Sequence, residues 1–202
     1  MSLRSRVLAV VVVALATFAV AAPRALAHPH IWIDAFVEVL HDGPRIAGLR
    51  INWTFDPFFS GMAAADFDTD GDSMLDDDEA ARLAETSAET LKDSGFFTHI
   101  WLNGELVQID AVRDFKAWVR DKRLSYAFTV AFPEPIDPAT TTLDVSLYDP
   151  TYYIEINMDA VDPLRFAGGS PSCLINVQPD PQRTIYFGLV RPTLMQLLCA
   201  AS

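Results

Sequence analysis

The 202-residue sequence predicts a mainly β fold, an antiparallel β-sandwich carrying an EF-hand-like helix–loop–helix insertion. Three observations predict it. Apolar and polar residues alternate with period two in several short segments, the signature of half-buried strands. Turn clusters separate these segments, among them Asn103-Gly104, a two-residue hairpin signal. One stretch between the second and third segments changes to helical periodicity around a run of aspartates.

The elements follow in order. From His30 to Val39 the apolar positions Ile31, Ile33, Ala35, Val37 and Val39 alternate with other residues. His41-Asp42-Gly43-Pro44 is a turn cluster, and Arg45 to Phe55 resumes the alternation, so the two form a hairpin. Asp56-Pro57 then reads as an N-cap followed by proline at the first helical position, opening a helix that runs to Phe67. A second helix is expected from about Asp78 to Lys92, its buried face made by Leu83, Ala84, Ser87, Ala88 and Leu91. Asp93-Ser94-Gly95 ends it, so the insertion spans about residues 56–95. Further strands are expected at His99–Leu102, Leu106–Val112, Phe115–Val119, Leu124–Phe132, Thr142–Leu147, Tyr152–Ile156 and Leu174–Val177. The apolar tail from Thr184 to Ser202 is broken by Arg191-Pro192 and is too short to span a bilayer. A docking strand and a short helix are expected there.

The amino terminus reads as a cleaved secretory signal over residues 1–27. Arg4 and Arg6 form its basic start, Val7 to Ala22 is an apolar run broken only by Thr17, and Ala25-Leu26-Ala27 is a small-x-small cleavage site. An uncleaved membrane anchor fits less well, because the apolar run is short and a good cleavage site follows it. Cleavage leaves 175 residues, enough for a single β-rich domain over 28–202. The loss of three leader arginines takes the formal charge from −12 to −15. Such acidity argues against a nucleic-acid surface and fits an exported protein that attracts cations. The expected location is therefore the periplasm, with no membrane anchor after cleavage.

The residues from Asp68 to Glu79 fit the twelve-residue EF-hand template. Calcium ligands are expected from Asp68, Asp70, Asp72, the backbone carbonyl of Met74, Asp76 through water, and a bidentate Glu79. Leu75 takes the apolar position. Ser73 stands where the template has glycine, which should weaken binding, since a left-handed serine costs on the order of 1 kcal/mol. The loop has no second copy, so a structural staple with affinity in the range of roughly 0.1–1 mM is expected, in preference to a sensor. A solvated acidic turn favouring the next helix N-terminus is the alternative.

Cleavage would also free an α-amine on His28, with His30 close behind it. An amine and two imidazoles are nitrogen donors for zinc, nickel, cobalt or copper alike. The amide-ligated copper–nickel motif is ruled out, because Pro29 has no N–H to lose. His99 is the expected third ligand, and Asp34 and Asp149 are acidic alternatives. Asp34 lies four residues from His30, about 13 Å along an extended strand, so both reach one ion only if the chain bends. Cys173 and Cys199 sit in an oxidising compartment that permits a bridge, but the sequence leaves open whether they are close. Asn52-Trp53-Thr54 matches a glycosylation sequon inside a strand, and we read it as chance.

Several segments together resemble an exported bacterial family of unknown function, domain of unknown function 1007. They are His28–Asp34, Trp53–Ser60, the acidic loop Asp68–Glu79, Phe96–His99 and Tyr148–Tyr153. The resemblance implies a periplasmic component of an uncharacterised ABC-type, nickel/cobalt-type transport system, and hence an inner-membrane metal permease as partner. The expected function is a periplasmic metal-binding accessory of such a system with a structural calcium site. The alternative is a calcium-stabilised β-sandwich binding module for an envelope protein partner. An enzyme is not expected: no G-x-S-x-G elbow or phosphate loop is present, and the clustered carboxylates suit calcium better than acid–base work.

Overall fold

The computed structural model describes residues 28–72, 74–168 and 173–199. The signal-peptide reading of residues 1–27 and the expected conformation of Ser73 lie outside these. The chain is mainly β, and among the described residues eleven strands fall into two sheets.

The first hairpin forms as the alternation requires. Strand β1 (Ile31–Asp42) pairs antiparallel with β2 (Arg45–Phe55) around a turn with Gly43 at φ 59°. Ile33, Ala35, Val37 and Val39 are buried on one face of β1. Helices α1 (Pro57–Phe67) and α2 (Asp77–Lys92) follow, then a single 3-10 turn at Gly95–Phe97. Leu83 and Ala84 of α2 are buried, while Ser87, Ala88 and Leu91 are half-buried.

The later strands are β3 (Thr98–Leu102), β4 (Glu105–Leu106), β5 (Arg113–Arg120), β6 (Arg123–Ile136) and β7 (Leu143–Leu147). After them come β8 (Ile154–Met158), β9 (Leu164–Phe166), β10 (Cys173–Pro179) and β11 (Thr193–Cys199). One sheet has the order β5-β6-β2-β1-β8, with β9 also on β1; the other runs β10-β11-β7-β3-β4. Both contribute to one core, in which Ile33, Ile51, Trp53 and Phe128 of the first sheet join Ile100, Val145 and Leu197 of the second.

Four differences from the sequence reading have physical causes. The expected strand Leu106–Val112 shrinks to Glu105–Leu106, because Ile109 turns inward to the core and the rest of the segment leaves the ladder. The strand expected at Tyr152–Ile156 begins at Ile154, because Tyr152 is left-handed at φ 59° and closes a turn. Strands β8 and β9 pair with β1 in parallel, so this sheet is not wholly antiparallel: the chain leaves β7 in one sheet and crosses to the free edge of β1 in the other. The tail supplies the expected docking strand as β11, pairing both β10 and β7, but its described residues hold no short helix, because a turn closed by the Ile185–Val190 bridge precedes β11 and the ladder runs to Cys199. Cys173 and Cys199 face each other in the β10–β11 register and are disulfide-bonded, which settles the open pairing.

The Asn103-Gly104 turn joins β3 to β4 as its dipeptide dictates, with φ 49° and 81°. The tight turn between β5 and β6 is made by Asp121-Lys122 at φ 52° and 61°, a sequence with no such signal.

Candidate metal centre

Asp56 builds the entry to the helical insertion. Its Oδ1 accepts from the backbone N–H of Phe58 (2.9 Å) and Phe59 (3.1 Å), the N-cap that Asp56-Pro57 encodes. Its Oδ2 accepts from the Trp32 N–H at 3.1 Å and so ties α1 to the start of β1. Burial opposes ionisation of Asp56, but the N–H groups of Phe59, Trp32 and Phe58 outweigh it and hold the carboxyl below its usual range.

Between α1 and α2 the acidic loop folds on itself through short side-chain-to-backbone bonds. Asp68 accepts from the Gly71 N–H (2.7 Å), Asp70 from Asp72 (3.1 Å) and Asp72 from Met74 (2.8 Å). Asp76 caps α2: it accepts from the Glu79 N–H at 2.8 Å, and Glu79 returns the bond by accepting from the Asp76 N–H at 3.2 Å. Glu79 is buried, with only 2 % of its surface exposed. Its Oε1 accepts from both the N–H and the hydroxyl of Thr69, at 2.6 and 2.7 Å. These Thr69 bonds, with the Asp76 N–H and Arg82, outweigh desolvation and hold its carboxyl below the usual range.

Oxygen atoms of Asp68, Asp70 and Glu79 lie within 4.8 Å of one another. They are three of the six expected loop ligands. Asp72, Met74 and Asp76 lie in the same loop, where Asp76 serves as the helix cap and Asp72 holds the Met74 N–H. Three carboxylates this close are compatible with a hard divalent cation, which takes oxygen ligands.

The histidines divide. The rings of His28 and His30 sit 5.2 Å apart, edge to face. The Nδ1 of His28 is shielded from solvent without a hydrogen-bond partner. His99 is engaged elsewhere: its ring stacks on Tyr148 at 3.8 Å and its Nε2 lies 3.2 Å from the Tyr148 carbonyl oxygen. Burial, with the Arg183 charge, lowers its pKa against that carbonyl bond. Among the described residues, His28, His30 and His99 do not form a group whose ligand atoms all lie within 4.8 Å.

The acidic alternatives are also committed. Asp34 pairs with Arg123 at 2.7 Å. Asp149 is buried and accepts from the N–H and hydroxyl of Thr151 and the N–H of Ile154, which sets the bend before β8. That bend carries Tyr153, whose ring lies 4.8 Å from His30 and 6.0 Å from His28. Tyr186 approaches His28 to 5.4 Å from the loop before β11. Sequence reasoning missed these tyrosines as neighbours of the histidines; only the doubled aromatic in Tyr152-Tyr153 hinted at them.

Among the described residues no helix is long and apolar enough to cross a membrane. The chain is similar to an uncharacterized 15.5 kDa protein from the trpE 3′ region of Spirochaeta aurantia, 28 % identical over 131 residues, 63 % of this chain and 91 % of that one. It is similar also to an uncharacterized protein of Haemophilus influenzae, 24 % identical over 150 residues, 73 % of this chain and 71 % of the other. The family model described as protein of unknown function (DUF1007) matches residues 13–187, which is most of the sequence, and the chain therefore belongs to that family.

Proposed function

We propose that this chain is an exported periplasmic metal-binding accessory of a transition-metal transport system, stabilised by one structural calcium ion. In this reading the signal is cut after Ala27 and an inner-membrane permease is the partner. The two sheets stack as a β-sandwich, and α1, the acidic loop and α2 form an EF-hand-like insertion. Calcium binds Asp68, Asp70, Asp72, the Met74 carbonyl, Asp76 and Glu79. A late first-row ion (zinc, nickel, cobalt or copper) binds the freed amine and imidazoles of His28 and His30.

The observation that carries the transition-metal reading is the His28 Nδ1, withdrawn from water with no partner, 5.2 Å ring to ring from His30. A buried polar atom left unpaired costs free energy unless a ligand completes it. Calcium rests on the convergence of Asp68, Asp70 and Glu79. The exposed rings of Trp32, Tyr153 and Phe187 favour a second reading, a calcium-stabilised module that binds an envelope protein.

Native mass spectrometry of the protein purified from the periplasm tests the first reading. It should report His28 as the first residue and one late first-row ion per chain, absent in His28→Ala and in a variant with one extra residue before His28. A native terminus that retains no such ion and takes none up on titration would remove the transport reading and leave the binding module.

A further inference from the structure

His28 lines an aromatic cup, and His30 stands behind it, its ring 5.2 Å from His28 and 4.8 Å from Tyr153. His28, Tyr153, Tyr186 and Phe187 line it together with Pro150 and Thr151, around a volume of about 570 Å³. No charged side chain is among these residues. The cup is large enough for an organic ligand and far larger than a single ion requires.

Its walls are held at a conformational cost. Tyr186 and Phe187 are both left-handed, at φ 48° and 57°, in a turn closed by the Ile185–Val190 bridge and by Gly188 at φ 84°. Bulky residues seldom adopt that region, and strain of this kind gathers at ligand sites. The result places Phe187 95 % exposed at the rim, its ring 5.4 Å from Tyr186, so its apolar surface contributes nothing to the core. The Tyr186 N–H reaches the Pro150 carbonyl at 3.4 Å, joining the two loops that carry the rings.

The donor count decides what the cup holds. With His99 stacked on Tyr148, the nitrogen donors at the cup among the described residues are the imidazoles of His28 and His30, together with the freed His28 amine. No carboxylate or thiol among the lining residues completes an ion's coordination. The remaining positions must be filled from solution, and aromatic walls suit an organic chelator better than bound water. We propose that the cargo is a metal chelate with a planar organic part, the ion on His28 and His30 and the organic part against Tyr153, Tyr186 and Phe187. This rests on the transition-metal reading of the two histidines.

Calorimetric titration of the mature chain beginning at His28 tests it with three probes: copper(II) alone, its ethylenediamine complex and its 2,2′-bipyridine complex. Both complexes present two nitrogens and leave equatorial positions open for imidazole; they differ in the planar rings. The bipyridine complex should bind at least tenfold more tightly than the ethylenediamine complex. Phe187→Ala, a change at an exposed side chain, should shrink that advantage while copper alone binds as in the parent, and Tyr186→Ala should shrink it as well. Equal affinity for the two complexes, or an advantage untouched by both substitutions, overturns the cup. If no probe distinguishes the parent from His28→Ala, the metal reading itself has failed, and the cup as a chelate site falls with it.

Discussion

Thr69 donates twice to one oxygen of Glu79, through its N–H at 2.6 Å and its hydroxyl at 2.7 Å. One end of the acidic loop is thereby fastened to the first turn of α2, and the carboxylates of Asp68 and Asp70 are brought beside Glu79. A cation would relieve their mutual repulsion, so the calcium reading predicts that stability depends on calcium.

Thermal melts with calcium and with a chelator check this. At calcium near a hundred times its dissociation constant the midpoint should rise by roughly 5–10 °C. Glu79→Gln should abolish most of that rise. Equal midpoints in calcium and in chelator would refute the calcium site.

The disulfide closes a loop between residues 26 apart in sequence. In the chain-entropy account such a loop contributes about 3–4 kcal/mol by restricting the unfolded chain. Cys173→Ser together with Cys199→Ser should lower denaturant stability by that order. The loss should match the effect of a reductant on the parent protein, and a reductant that leaves the parent unchanged would contradict the prediction.

Acid should act through Asp180, which is fully buried and bonded to the Arg183 guanidinium at 2.7 Å. Burial alone would raise its pKa, but Arg183 and the N–H groups of Gln182 and Arg183 hold it below the usual range. A carboxyl depressed in the folded state stabilises above its unfolded pKa, about 3.9, and that contribution is lost as pH falls through the lower folded value. Asp180→Asn should cost about 2–3 kcal/mol at neutral pH, less than a fully buried pair because Arg183 is partly exposed. It should also flatten the acid limb of a stability–pH curve below pH 4. An unchanged acid limb would show that Asp180 is not the responsible group.

Gly48 in β2 lies opposite Ala131 where the β2–β6 register shifts, and a Cβ there would collide with the Val130 carbonyl. Gly48→Ala should therefore destabilise by about 1–3 kcal/mol, although alanine suits strands no worse than glycine in general. Urea unfolding would measure it, and a neutral result would mean that the bulge relaxes freely.

Much of the fold was legible in the sequence because it follows from local rules. Period-two alternation located β1, β2, β3, β6 and β7. Asp56-Pro57 started α1 where an N-cap and a first-turn proline must, and Asn103-Gly104 made its hairpin. The convergence of Asp68, Asp70 and Glu79 was equally legible, because these carboxylates are spaced along one short segment whose geometry hardly depends on the rest of the chain.

Pairings between distant segments were not legible. Nothing local to Ile154–Met158 says that it lies parallel to β1, because that follows from where the chain can cross between sheets once β1 has a free edge. The same holds for the histidines. His99 has a strand context open to either role, and only the approach of Tyr148 to its ring decides that it stacks. The sequence alone determined strand alternation, the helix cap, the turn and the acidic loop, since each is encoded within a few residues. The tertiary structure alone decided which edges pair, that Cys173 meets Cys199, and that His28 and His30 face Tyr153 and Tyr186, because these contacts come from packing between residues far apart along the chain.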